Sequence, residues 1–277
     1  MESCILIIVL KKNFINFIEK SPTFGKVFIC LDDKNNREVI KKISNLNYHT
    51  YGTNKLSNFK IFNILQKENY SRFDLKINLP ATKEKFIKNI KIPLIGLHNI
   101  RNSTAAAAVA FSVGIPIKII KKGLEKFSGV QRRFTKVFSY RNVSFFDDYA
   151  HHPTEIVEVL DGVRKVYTNK EIVCIFQPHR ISRLKNLHEE FSKSFKKADT
   201  IILCPIFKAG ENIKLGFSYN NFAKKIIKNS KVKLILIKNK LELAKYVKQN
   251  IYGNKIAIGM GAGSISNWIR DLPKYIK

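Results

Sequence analysis

From Val143 to the end of the chain, hydrophobic and polar positions switch repeatedly between two periods. Residues 143–148 (VSFFDD) form a short β-rich run. The following segment, 153–167, carries Ile156, Leu160, Val163 and Tyr167 at helical spacing behind Pro153, a residue suited to a first helical turn. Apolar runs recur at 172–176 (IVCIF), 200–206 (TIILCPI), 232–237 (VKLILI) and 255–261 (KIAIGMG), separated by helical patterns at 184–198, 220–229 and 241–251. Strands too continuously apolar to face water, alternating with helices, predict an α/β fold whose mostly parallel sheet is covered on both sides. The first half is less regular. Segments 26–33 and 47–52 read as strands running into loops, 70–80 as an exposed antiparallel strand, and 99–115 and 114–130 as helices. The best cut lies between Gly129 and Arg133, giving domains 1–130 and 131–277.

In such a sheet the ligand crevice lies beyond the carboxyl ends of the strands. The polar clusters fall there: DDYAHH after the first strand, QPHRISR after the second, FKAGE after the third and GMGAGS after the last. Adjacent strand residues point opposite ways, so one of Asp147 and Asp148 is expected to face the ligand and the other to cap the following turn. A strand-end Asp suits ribose hydroxyls or a metal. His151 and His152 precede Pro153, but no third or fourth ligand stands at a recognised zinc spacing. Gln177, His179, Arg180 and Arg183 place two guanidiniums near a helix start, which suits an anionic substrate; two solvated surface charges are the alternative. Asn99 and Asn102, three residues apart at another helix start, offer amides that match an adenine edge or simply cap the helix. GMGAGS has no following lysine and reads as a tight turn, not a phosphate loop.

Composition adds bounds. The net charge of +29 suggests polyanionic partners, yet lysines are spread through nearly every segment, without an Arg-rich arm, zinc-finger spacing or aromatic RNA-binding signature. No specific nucleic-acid partner is expected. Cys4, Cys30, Cys174 and Cys204 form no CxxC pair, which fits free thiols in a reducing cytoplasm. The apolar stretch CILIIVL is far shorter than the roughly 20 residues that cross a bilayer, so no membrane insertion is expected.

Taken together, GLHNIRNSTAAAAVA, GVQRRF, FFDDYAHHPTEI, FQPHRISR, FKAGE and GMGAGSI, in this order and at these separations, closely resemble the Mur ligase family, from about Leu10 to Asp271. The resemblance implies a three-domain enzyme with an N-terminal UDP-binding domain, a central ATPase and a C-terminal Rossmann-like domain. Residues 1–130 would be part of the central ATPase domain and 131–277 the Rossmann-like domain. It further implies ATP and Mg2+, activation of a carboxylate as an acyl phosphate, and attack by an amine. UDP-N-acetylmuramate and L-alanine are the implied substrates. By position, Asn99 and Asn102 would contact adenine with His98 beside them, and Arg133 would reach nucleotide phosphates. Asp148 would hold the ribose with Tyr149 beside the nucleotide. His151, His152, His179, Arg180 and Arg183 would line the substrate side, and Arg133, Asp148, His151 and His152 would serve catalysis.

The family's Gly-Lys-Thr phosphate loop, central magnesium ligands and uridine-binding domain have no counterpart in the sequence. The expectation is a fragment inactive alone, or one completed by a separate N-terminal half. Two alternatives stay open: a related ligase that attaches a recycled peptide, and a noncatalytic nucleotide- or partner-binding remnant.

Overall fold

The computed structural model describes residues 2–22, 24–43, 47–80, 82–127 and 129–276, and the side chains from Ile8 onward; the Cys4 thiol lies outside the described residues. The chain forms two compact units, Met1–Ser128 and Gly129–Lys277.

The first unit runs α1 (Glu2–Glu19), β1 (Val27–Cys30), α2 (Lys34–Ile40), β2 (Tyr48–Gly52), β3 (Phe59–Lys67), β4 (Tyr70–Ile77), β5 (Lys85–Ile92), α3 (Leu97–Ser112) and α4 (Ile117–Lys126). Its sheet has the order β1-β2-β3-β4-β5, parallel through β3 and antiparallel beyond. The expectation of an exposed strand at 70–80 is corrected here. β4 is interior, with Ser71, Phe73, Asp74, Leu75 and Ile77 all buried. Its polar positions look solvent-facing because Asp74 carries a charge, but that carboxylate is satisfied locally. It accepts the Asn63 side-chain amide at 2.9 Å and the Asn89 backbone amide at 2.7 Å, and the ladders on both sides shift register beside it. Asn63 and Asn89 take positive φ, a conformation Asn tolerates better than most residues. Ile100, Ala107 and Ala108 of α3 and Ile120 of α4 bury their apolar faces with Phe59, Phe73 and Ile90 of the sheet.

The second unit runs β6 (Thr135–Tyr140), β7 (Val143–Asp148), α5 (Pro153–Val166), β8 (Glu171–Phe176), α6 (Ile181–Asn186), α7 (His188–Lys193), β9 (Thr200–Leu203), α8 (Tyr219–Ser230), β10 (Lys233–Leu236), α9 (Lys240–Asn250), β11 (Lys255–Met260), α10 (Ile265–Asp271) and α11 (Pro273–Ile276). The strand order is β10-β9-β8-β11-β7-β6, parallel except for the antiparallel edge strand β6. Alternate residues serve opposite faces. Phe145, Val173, Ile175 and Ala257 pack with Leu243, Val247 and Ile269 of α9 and α10, whereas Phe176 packs on Phe191 and Phe195. The helix expected at 184–198 is instead two short helices, because Leu187 leaves helical geometry at φ −120°, ψ 21°. Leu184 and Phe191, one on each side of the break, are both buried. Among the described residues no helix is long and apolar enough to cross a membrane.

Candidate functional site

The parallel register aligns four strand ends in the second unit: Met260 lies opposite both Asp148 and Phe176, and Phe176 opposite Leu203. The loops leaving that edge are tied together. Gln177 accepts the Ile265 amide at 3.0 Å and donates to the Ser264 hydroxyl at 3.1 Å, joining the β8 and β11 loops. Glu211 accepts the Ser182 amide at 3.0 Å and its hydroxyl at 2.5 Å, joining the β9 and β8 loops. Gly261 permits a close approach to backbone: at φ +145° a Cβ there would lie 2.6 Å from the Gln177 carbonyl oxygen. The glycine cluster is thus a packed turn, and the four polar clusters do share one rim.

The two carboxylates differ from expectation, since neither faces outward: Asp147 is 0% exposed and Asp148 2%. Asp147 accepts the Ser266 hydroxyl at 2.5 Å and stands 3.6 Å from the Arg270 guanidinium, so it docks α10 onto β7. Asp148 accepts the amides of Phe134 and Ala150, each at 2.8 Å. Strand-end backbone amides need acceptors, and Asp148 is drawn inward to supply them. Burial pushes the Asp148 carboxyl up to about 6, against the two amides and the nearby Arg133 charge, which act to lower it.

Arg133 is exposed, but its neighbour Arg132 is built into the rim. Arg132 donates to the Gly261 carbonyl at 2.5 Å and places its guanidinium 4.6 Å from the Tyr149 ring centroid. Its carbonyl accepts the Tyr149 amide at 2.7 Å. Nothing in the sequence separates the two adjacent arginines, so Arg132 was missed.

The histidines divide by role. His152 is the N-cap of α5: its ring accepts the Thr154 amide at 3.4 Å while Glu155 reaches back to the His152 amide at 3.2 Å, a capping box. His151 and His179 are neighbours, their rings 5.7 Å apart and nearly perpendicular. His179 also stacks on Phe207, and Arg183 lies 3.2 Å from its Nδ1. Burial, then the Arg183, His151 and Arg180 charges, push His179 below its ordinary value. Burial likewise lowers His152, opposed by Glu155. Arg180 is exposed and takes φ 69°, ψ 132°, a strained conformation for a side-chain-bearing residue.

In the first unit, His98, Asn99 and Asn102 lie on the opening turns of α3. Asn102 is exposed, whereas Asn99 is 9% exposed and donates its side-chain amide to the Ile95 carbonyl at 2.7 Å. A second constellation there escaped the sequence reading. Asp32, just after β1, accepts the amides of Thr53 and Asn54 at 2.9 and 3.0 Å and pairs with Arg101 at 2.7 Å. Burial would raise its carboxyl, but these donors outweigh it and hold Asp32 low. The LDD run after an apolar strand was its only signal.

The Mur ligase middle-domain model matches residues 7–110, and the Mur ligase glutamate-ligase-domain model matches residues 132–263. The chain belongs to the Mur ligase family. It is 62% identical over 267 residues to UDP-N-acetylmuramate-L-alanine ligase of Pelagibacter ubique, covering 96% of this chain and 58% of that relative. Among solved structures, the UDP-N-acetylmuramate-alanine ligase of Thermotoga maritima shares the fold at TM-score 0.66 and 23% identity, over 94% of this chain and 61% of that one. The Thermotoga maritima MurF ligase in complex with ADP gives TM-score 0.64 at 16% identity, over 95% and 55% of the two chains. This Mur ligase chain therefore spans less than two thirds of the length of the relatives it matches. Among its described residues there is no group of three or more His, Cys, Asp or Glu side chains placed to hold a metal ion.

Proposed function

We propose that this chain supplies the acceptor side, and part of the nucleotide side, of an ATP-dependent ligase joining L-alanine to UDP-N-acetylmuramate in peptidoglycan precursor synthesis. The observation that carries the reading is the 62% identity to a UDP-N-acetylmuramate-L-alanine ligase along almost the whole chain. The geometry supports roles for particular residues. Exposed Asn102 offers an amide to an adenine edge, while buried Asn99 shapes the helix start beneath it. Exposed Arg133 offers a guanidinium to phosphates, and Tyr149, held by Arg132, offers an aromatic face to the nucleoside. Asp148 acts through the backbone of Phe134 and Ala150, which it holds, so its contribution to ribose binding is one of positioning.

On the acceptor side, Arg180 and Arg183 bind anionic groups, and His151 and His179 face the reacting amine and carboxylate. ATP drives formation of an acyl phosphate, and orienting the amine against it converts a bimolecular encounter into a local one. The sequence has no Gly-Lys-Ser/Thr element, so in this reading other polypeptide supplies the phosphate loop and most of the magnesium ligands. Buried, unpaired Cys174 and Cys204 suit a reducing cytoplasm. With a phosphate-loop polypeptide supplied, phosphate release should be faster with L-alanine than with a tripeptide acceptor. Preference for the tripeptide would assign the chain to the peptide-recycling branch.

A further inference from the structure

Two neighbouring imidazoles on the rim meet opposite kinds of partner at Nδ1. His151 Nδ1 lies 2.8 Å from the Tyr149 carbonyl oxygen. A carbonyl only accepts, so this nitrogen carries the proton and Nε2 keeps its lone pair. Around His179 the logic reverses. Arg183 only donates, so the His179 Nδ1 that meets it at 3.2 Å is bare and Nε2 carries the proton. Glu155 reinforces the first arrangement: its Oε2 accepts the His151 amide at 2.9 Å and the His152 amide at 3.2 Å, and stands 3.3 Å from His151 Nδ1. That carboxylate is fixed by backbone and faces the side of the ring that stays protonated throughout, an orienting arrangement like the acid behind a catalytic histidine.

We propose that His151 is the proton acceptor for the incoming amine, with Glu155 as its positioning residue and His179 as a hydrogen-bond donor beside it. The inference rests on the ligase reading above. L-alanine arrives as an ammonium, which has no lone pair for attack. Its N–H bond breaks and the proton passes to His151 Nε2, giving an imidazolium stabilised by Glu155 and the Tyr149 carbonyl. The nitrogen pair then forms the C–N bond to the acyl phosphate carbon, the C–O bond to phosphate breaks with its electrons leaving on phosphate, and the remaining excess proton is lost to solvent. His152 is excluded from this step because its ring nitrogen caps α5.

Long-range proton–nitrogen NMR on this chain at neutral pH tests the geometry without any catalysis. The expected result is His151 protonated at Nδ1 and His179 at Nε2, with the His151 preference weakened in Glu155→Gln; the opposite tautomer at His151 overturns the proposal even if the ligase reading holds. Titrating L-alanine should then move the His151 Nε2 signal. Binding that leaves that nitrogen unchanged also overturns the proposal, and no binding at millimolar L-alanine contradicts the ligase reading beneath it. In the phosphate-loop-supplemented reaction, His151→Gln should lower amide formation from L-alanine by about a hundredfold or more. It should spare hydroxamate formation from hydroxylamine, which is already neutral; equal loss with both nucleophiles would assign His151 to acyl phosphate formation instead.

Discussion

Asp148 shows how a single side chain couples the strand end to pH. Its carboxyl is raised by burial from 3.8 to about 6, so the folded state holds a proton more tightly than the unfolded chain between those values. Stability is therefore lost as pH rises through that window, by roughly 2–3 kcal/mol if the shift is fully expressed. Denaturant unfolding followed between pH 4 and 7 should show this slope, and Asp148→Asn should flatten it. Arg180 separates function from architecture in another way. Its φ of 69° is one that glycine adopts without cost, so Arg180→Gly should match or exceed the melting temperature of the unchanged protein. Affinity for the anionic substrate should nevertheless fall roughly tenfold or more as a charge-assisted contact is lost; unchanged affinity would make Arg180 a solvated surface charge. At this scale residue types and spacing located the rim, but not which side chains face outward. The inward turn of Asp148, the capping duty of His152 and the choice of Arg132 over Arg133 against Tyr149 depend on backbone hydrogen bonds, and that of Asp147 on the distant Ser266 and Arg270 side chains, none of which spacing encodes.

The strand-helix alternation after Val143 was legible because buried parallel strands must be apolar throughout, and β7, β8 and β11 follow the expected runs closely. The first unit was harder to read. β4 carries its buried charge at Asp74 and so imitates a solvent-facing strand, while β3 and β5, with lysines and asparagines along their length, gave no clean alternation. The split of α6 from α7 escaped because Leu187 is an ordinary helix former; tertiary packing overrides its propensity. The β11 turn offers a test at this scale. Gly261→Ala would force a Cβ to 2.6 Å from the Gln177 carbonyl oxygen at a φ that disfavours L side chains. A loss of about 1–3 kcal/mol in unfolding free energy is expected. The Gln177–Ser264–Ile265 tie should loosen with it, read as faster amide exchange at Ile265.

For the molecule as a whole, the proposed function rests on the rim, the two matched Mur ligase domains and the sequence without Gly-Lys-Ser/Thr: it assigns these residues binding and orientation and leaves phosphoryl transfer to other polypeptide. The parallel sheet has its own core in the second unit, so Gly129–Lys277 should fold without that polypeptide. The net charge of +29 does not enter the account, because the lysines are spread along the chain and not gathered into a motif. The most direct measurement mixes the purified chain with ATP, magnesium, UDP-N-acetylmuramate and L-alanine, and follows phosphate and amide product together, with and without a separately purified polypeptide carrying the phosphate loop. The account predicts neither product from the chain alone and stoichiometric formation of both once the second polypeptide is added. Sustained, stoichiometric formation of both by the chain alone, in a preparation free of host ligase, would contradict it.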